Sequence, residues 1–179
     1  GLYEVDFITQ KRTLRPGSKA FIDIVNKRGY DDRGFLVSIG DTAPDFKMKF
    51  SNGDTSRLSD YKGKIVVLQF TASWCSVCRI EMPHLENDIQ KKYSNKDVIL
   101  IGIDRDEPLE TVVKFKKEMN ISYPLALDPN ADIFSLYAHK NSGVTRNIVI
   151  DQHGKIIFLT RLFDKNEYKN MLKIIEEKI

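Results

Sequence analysis

The chain has 179 residues, 41% hydrophobic and 30% charged, with 28 basic and 25 acidic side chains giving a formal charge of +3. That length suits one domain with a sizeable core, and the balance excludes a disordered or collagen-like polymer. No long basic block occurs, so nucleic acid is not an expected partner, and the apolar runs at 65–68 and 98–101 fall far short of the roughly 20 residues of a membrane-spanning helix. Two cysteines are too few for a disulfide framework or a four-cysteine zinc site, which leaves two inert thiols or one redox pair.

The chain begins at Gly1 rather than Met and without an apolar leader, as expected of a processed or trimmed product lacking its targeting segment. Residues 1–38 read as an N-terminal extension, with alternation at Tyr3, Val5 and Phe7, a basic turn-prone stretch at 11–18 and an apolar patch at 20–25. The main domain is expected over 39–179. It opens with a hairpin-like alternation at 46–50 and a turn at Asn52, Gly53 and Asp54. The continuous apolar run at 64–70 has the character of a strand covered on both faces. Met82, Leu85 and Ile89 give helical spacing over 76–92, and a second apolar run at 98–103 completes a strand–helix–strand unit, hence a parallel pair.

Pro108, behind Asp106 and Glu107, suits the first turn of a helix ending near Asn120. A short strand follows at 123–127, then a turn at Asp128, Pro129 and Asn130 and a short helix over 133–138. Strands at 148–150 and 156–159 are joined so briefly that they must be antiparallel. The last helix is signalled by a capping box of Asp164 with Glu167, and by an apolar face of Tyr168, Met171, Leu172, Ile175 and Ile179.

Both cysteines fall where the buried strand becomes a helix, in Thr71-Ala72-Ser73-Trp74-Cys75-Ser76-Val77-Cys78-Arg79. Unpaired backbone N–H groups and the positive end of the dipole at a helix start stabilise an anion, so Cys75 is the expected nucleophile. Cys78, three residues on and one turn inward, is placed to resolve a mixed disulfide. A chance pair of buried cysteines and half of a metal site are the competing readings. The second lacks ligands, since His84, His139 and His153 are scattered and no second cysteine pair exists. No metal and no cofactor are expected.

On these residues the sequence resembles the thioredoxin superfamily, in particular the TlpA/ResA-like thiol-disulfide oxidoreductases of the AhpC/TSA-redoxin clan. The likeness runs over about 40–179. It is carried by Ala43-Pro44-Asp45-Phe46, by Trp74-Cys75-x-x-Cys78, by Glu81-Met82-Pro83 and by the 151–156 hairpin. It implies an α/β thioredoxin-like fold, a central mixed β-sheet flanked by helices. Pro83 matches the proline that kinks this helix in the family, where it otherwise costs about 3 kcal/mol, and Trp74 is expected to cover the pair. Gln69 stands where thioredoxin keeps a buried proton-moving aspartate, a task glutamine cannot perform, and its expected role is that of a hydrogen-bonded polar group in the strand. Glu81 matches a functional glutamate of ResA-like proteins and is the candidate proton acceptor for Cys78, against the reading of an ordinary exposed helix glutamate.

The family's cis-proline position falls on Thr145. A cis peptide there would cost about 3 kcal/mol, so a trans bond and an altered loop beside Cys75 are expected. Thr145 and Arg146 then either tune the disulfide and select a partner or merely shape the loop. Arg146 also raises a peroxiredoxin-like thiol peroxidase as alternative, although Leu68 and Ala72 stand where that family keeps proline and threonine or serine. A non-catalytic binding or carrier module is the other alternative; a bridge closing so short a loop has little stabilising value. The resemblance implies an extracytoplasmic bacterial protein, periplasmic or membrane-tethered. It would act as a reductant on substrate proteins with thiols or disulfides, such as apocytochrome c, and be recharged by a membrane donor of DsbD or CcdA type.

Overall fold

The structure, a computed structural model, describes residues 3–5, 12–14, 33–93 and 97–179. At the start, β1 (Tyr3–Val5) pairs antiparallel with β2 (Arg12–Leu14), so the stretch read as turn-prone contains a short strand. Phe7 and the apolar patch at 20–25 lie outside the described residues.

The body is a five-stranded mixed sheet. Its strands are β5 (Ile65–Thr71), β6 (Val98–Arg105), β7 (Leu125–Asp128), β8 (Arg146–Ile150) and β9 (Ile156–Arg161), in the spatial order β7-β6-β5-β8-β9. Strands β5, β6 and β7 are parallel, and β8 and β9 run against them. Every residue of β5 is buried, as its β-branched, two-faced composition requires. A hairpin of β3 (Lys47–Lys49) and β4 (Thr55–Arg57) attaches to the β7 edge, where Ser51 N–H donates to the Leu125 carbonyl at 2.8 Å.

Alternation along β5 sorts the core into two. Val66, Leu68 and Phe70 join Met48, Phe134, Tyr137 and Phe35 on one face. Ile65 and Val67 face α1 (Ser76–Leu85), α2 (Leu109–Glu118) and α4 (Lys165–Lys178) through Met82, Leu85, Val112, Phe115, Met171 and Ile175. The short α3 (Phe134–Tyr137) belongs to the first face.

Several boundaries differ from the sequence expectation for tertiary reasons. The helix expected over 76–92 is α-helical only to Leu85 and continues as a π-helical turn over Glu86–Lys91, just past Pro83, whose ring cannot take part in a regular ladder. Pro108 caps α2 in an extended conformation instead of sitting in its first turn. Strand β6 runs on through Asp104 and Arg105, which the ladder pairs with β5 and β7. The first half of the α4 capping box forms, with Asp164 accepting from the N–H groups of Asn166 and Glu167, but the Glu167 carboxylate accepts from Arg161 N–H instead of closing the box. Ile179 is exposed, one residue past the end of α4, and does not join its apolar face.

Candidate functional site

Cys75 is the N-cap of α1, and its Sγ accepts the Cys78 backbone N–H at 3.2 Å; the two cysteines are joined as a disulfide with Cα atoms 5.3 Å apart. Burial is asymmetric. Cys75 keeps 8% of its surface in solvent and Cys78 none. The loop entering the helix is tied down from outside: Glu107, just after β6, accepts from both the N–H and the hydroxyl of Ser73, and Arg79 Nε donates to the Ser73 carbonyl at 2.7 Å. Trp74, expected to cover the pair, has 62% of its surface in solvent.

Thr145 closes the site from the loop that enters β8. Its peptide bond is trans, and its Oγ1 lies 3.1 Å from Cys75 Sγ and 3.3 Å from Cys78 Sγ. Arg146 turns to the other face of the sheet. Its Nη2 donates to the Arg33 carbonyl at 2.8 Å and to Ser142 Oγ at 2.9 Å, and the guanidinium lies 4.4 Å from the centre of the Phe35 ring. Of the two residues singled out in this loop, Thr145 is the one seen hydrogen-bonded to the sulfurs, and among the described residues no arginine is seen bonded to Cys75, as the peroxidase alternative would want.

Glu81 is not an exposed helix glutamate: it is 1% exposed and accepts from two neutral amides, Asn147 Nδ2 donating to Oε1 at 2.7 Å and Gln69 Nε2 to Oε2 at 3.2 Å. Burial pushes its pKa up to about 7, and the two amide donors hold it from rising further. Gln69 is hydrogen-bonded as expected, but its partners give it a specific task. The Tyr123 hydroxyl donates to Gln69 Oε1 at 2.8 Å, which leaves the amide nitrogen facing Glu81. Burial pushes the Tyr123 pKa well above its usual value, so that hydroxyl remains a donor.

The register brings these groups together. Gln69 lies opposite Asn147 of β8 on one side and Gly102 of β6 on the other. A Cβ on Gly102 would collide with the Leu125 side chain and come within 3.2 Å of the Tyr123 ring, so the missing side chain makes room for that ring beside Gln69.

Sequence reasoning missed Tyr123, Asn147, Asp104 and Glu107. For Asn147 and Asp104 a signal existed, a polar residue inside a buried strand; for Glu107 none did. Asp104 pairs with Thr71 in the ladder, is fully buried, and has its pKa pushed up to about 8 by burial and by neighbouring Glu107. Among the described residues, no three His, Cys, Asp or Glu side chains are grouped to hold a metal ion, and no helix is long and apolar enough to cross a membrane.

Known proteins resemble the chain in sequence and fold. Residues 39–159 match the AhpC/TSA family. The thiol-disulfide oxidoreductase ResA of Bacillus cereus is 34% identical over 130 residues, 73% of each chain, and that of Geobacillus thermodenitrificans 31% over 141 residues, 78% of this chain and 79% of the relative. A solution structure of a candidate protein disulfide isomerase from Bacteroides thetaiotaomicron superposes with a TM-score of 0.79 at 51% identity, covering 81% of this chain and 92% of that one. The thioredoxin domain of a thiol-disulfide oxidoreductase from Bacteroides vulgatus follows with a TM-score of 0.67 at 25% identity, covering 78% and 99%. A redox-bonded Cys-x-x-Cys pair at the N-terminus of a helix, on a thioredoxin-like sheet, thus has the sequence relatives its geometry calls for, and the chain belongs to the AhpC/TSA family, among its TlpA/ResA-like thiol-disulfide oxidoreductases.

Proposed function

We propose that the protein acts as a reductant of disulfides in substrate proteins outside the cytoplasm, with Cys75 attacking and Cys78 resolving, through the domain at 39–179 that follows an extension at 1–38. The observation that carries this reading is the asymmetry of the pair. Cys75 combines residual exposure with a helix-start position that favours its thiolate, whereas Cys78 is closed to any partner except Cys75. Cys75 thiolate attacks a substrate disulfide; the substrate's S–S bond breaks and one substrate sulfur leaves. Cys78 then loses its proton and attacks Cys75 Sγ, which releases the second substrate sulfur and leaves the Cys75–Cys78 disulfide.

Glu81 is the proton acceptor in that second step. It lies one helical turn beyond Cys78, is buried, and has a pKa near 7, so at neutral pH it is neither locked as an anion nor fixed as an acid. Trp74 offers an exposed aromatic surface to the partner. Likeness to ResA supports apocytochrome c as one such partner, a membrane donor of DsbD or CcdA type as the source of electrons, and a periplasmic or membrane-tethered location.

Trapping tests the assignment. Cys78→Ser should accumulate mixed disulfides through Cys75 with extracytoplasmic thiol proteins, released by dithiothreitol, and Cys75→Ser should trap none. Adducts formed by Cys75→Ser and not by Cys78→Ser would reverse the roles.

A further inference from the structure

Thr145 stands where the family carries proline, a residue that offers the sulfurs no donor. Here a residue that is 2% exposed supplies a hydroxyl within hydrogen-bond distance of both Cys75 Sγ, at 3.1 Å, and Cys78 Sγ, at 3.3 Å. The backbone around it is held: the Thr145 carbonyl accepts Leu162 N–H at 3.2 Å, and the next side chain, Arg146, is anchored on the far face by Arg33 and Ser142. We propose that Thr145 is a catalytic residue whose single hydroxyl proton serves the two sulfurs in turn, bound to Cys75 before attack and to Cys78 before resolution.

The inference deepens the proposed function and rests on its assignment of Cys75 and Cys78. A disulfide sulfur is a weak acceptor, but a thiolate is a charged one, and hydrogen bonds to charged groups are about twice as strong as neutral ones. In the reduced protein Cys75 carries the charge and Cys78 the proton, so the Thr145 O–H points at Cys75, alongside the Cys78 backbone N–H. When Cys75 attacks, a Cys75–substrate bond forms, the substrate disulfide breaks and the first substrate sulfur leaves with the electron pair. The Cys75 charge is gone. The Cys78 proton then passes to Glu81, the charge appears on Cys78, and rotation about the Thr145 Cβ–Oγ1 bond turns the same O–H from one sulfur to the other. Attack of Cys78 on Cys75 Sγ expels the second substrate sulfur as a thiolate. Two electrons have reached the substrate, the pair is oxidised, and the hydroxyl is returned to its starting state.

The hydroxyl stabilises the charged, reduced form more than the disulfide. Removing it should therefore make the pair more reducing and thiolate formation harder. The isosteric Thr145→Val should lower the equilibrium constant for reduction by glutathione about tenfold, equivalent to a potential about 30 mV more negative. It should also move the 240 nm thiolate titration of Cys75 to higher pH. Thr145→Ser keeps the hydroxyl and should stay close to the parent in both. An unchanged titration and potential in Thr145→Val, or a Thr145→Ser that behaves like Thr145→Val, overturns the proposal by assigning the position to packing. Should the valine variant not fold, a structure of the reduced parent decides: Oγ1 within hydrogen-bond distance of Cys75 Sγ supports the proposal and a hydroxyl turned away removes it. Trapping by Cys78→Ser needs no Thr145 hydroxyl, so if it succeeds while these tests fail, the Cys75 and Cys78 roles stand and only the Thr145 role falls.

Discussion

The Tyr123 hydroxyl donates to Gln69 Oε1 across 2.8 Å, and this one bond decides which end of the Gln69 amide meets Glu81. A glutamine free to turn could offer its oxygen and favour a protonated Glu81; with its oxygen already occupied it offers only N–H. Tyr123→Phe is expected to cost about 1 to 3 kcal/mol for the unsatisfied buried Gln69 oxygen and to shift the pH dependence of the resolving step upward. Stopped-flow exchange with a model disulfide across pH 5 to 9 measures it. A superimposable pH profile would show that the amide is held by other means.

Glu81 links stability to pH. Its pKa is raised from 4.5 to about 7, so its neutral form is favoured in the folded state. The resulting stabilisation is complete below the unfolded-state value, falls as pH rises through about 7, and is then gone, a difference of about 3 kcal/mol. Asp104, pushed up to about 8, acts in the same direction, so the parent protein should lose stability between pH 5 and 8. Glu81→Gln should flatten the part below pH 7. Denaturant titrations of the oxidised protein at several pH values provide the comparison, and equal slopes for variant and parent would argue against a Glu81 that titrates there.

Glu81→Gln should also slow resolution while sparing the first attack, because Cys75 does not depend on the buried carboxylate for its charge. Rapid-quench analysis should then show the mixed disulfide persisting in a protein that retains both cysteines. If formation and decay of the adduct slow equally, Glu81 acts on the whole site and not on the Cys78 proton.

Gly102→Ala places a methyl group against Leu125 and the Tyr123 ring. Overpacking of this kind costs about 1 to 3 kcal/mol, and by moving Tyr123 from Gln69 it should reproduce the upward pH shift of Tyr123→Phe. A thermal melt and the same kinetic profile test both parts. Destabilisation without the pH shift would separate packing from the hydrogen-bond chain.

Glu107→Ala removes the acceptor for both the N–H and hydroxyl of Ser73 and frees the strand-to-helix loop. Stability should fall by about 1 to 3 kcal/mol, and amide hydrogen exchange over residues 72–75 should quicken. Protection in that loop equal to the parent's would assign its order to Arg79 alone.

Much of this protein is legible by reading along the chain. The apolar runs of β5 and β6, the Cys75 and Cys78 spacing at a strand-to-helix junction and the Asp164 cap are local features, set by side-chain periodicity and by the unpaired N–H groups of a helix start. Those rules alone bring the two sulfurs together and make one outer and one inner. They say nothing of what surrounds them. Glu81 meets Gln69 from 12 residues away and Asn147 from 66, and Thr145 reaches Cys75 from 70. Such contacts depend on the register of β5 against β8 and β6, on the room left by Gly102, and on which face each side chain takes. That is why Glu81 proves buried, Arg146 turns away from the sulfurs while its neighbour touches both, and Glu107 holds a loop 34 residues distant. Local sequence determined the reactive pair; the tertiary structure decided its environment, because hydrogen bonding and desolvation act between strands and helices that only the completed sheet brings into contact.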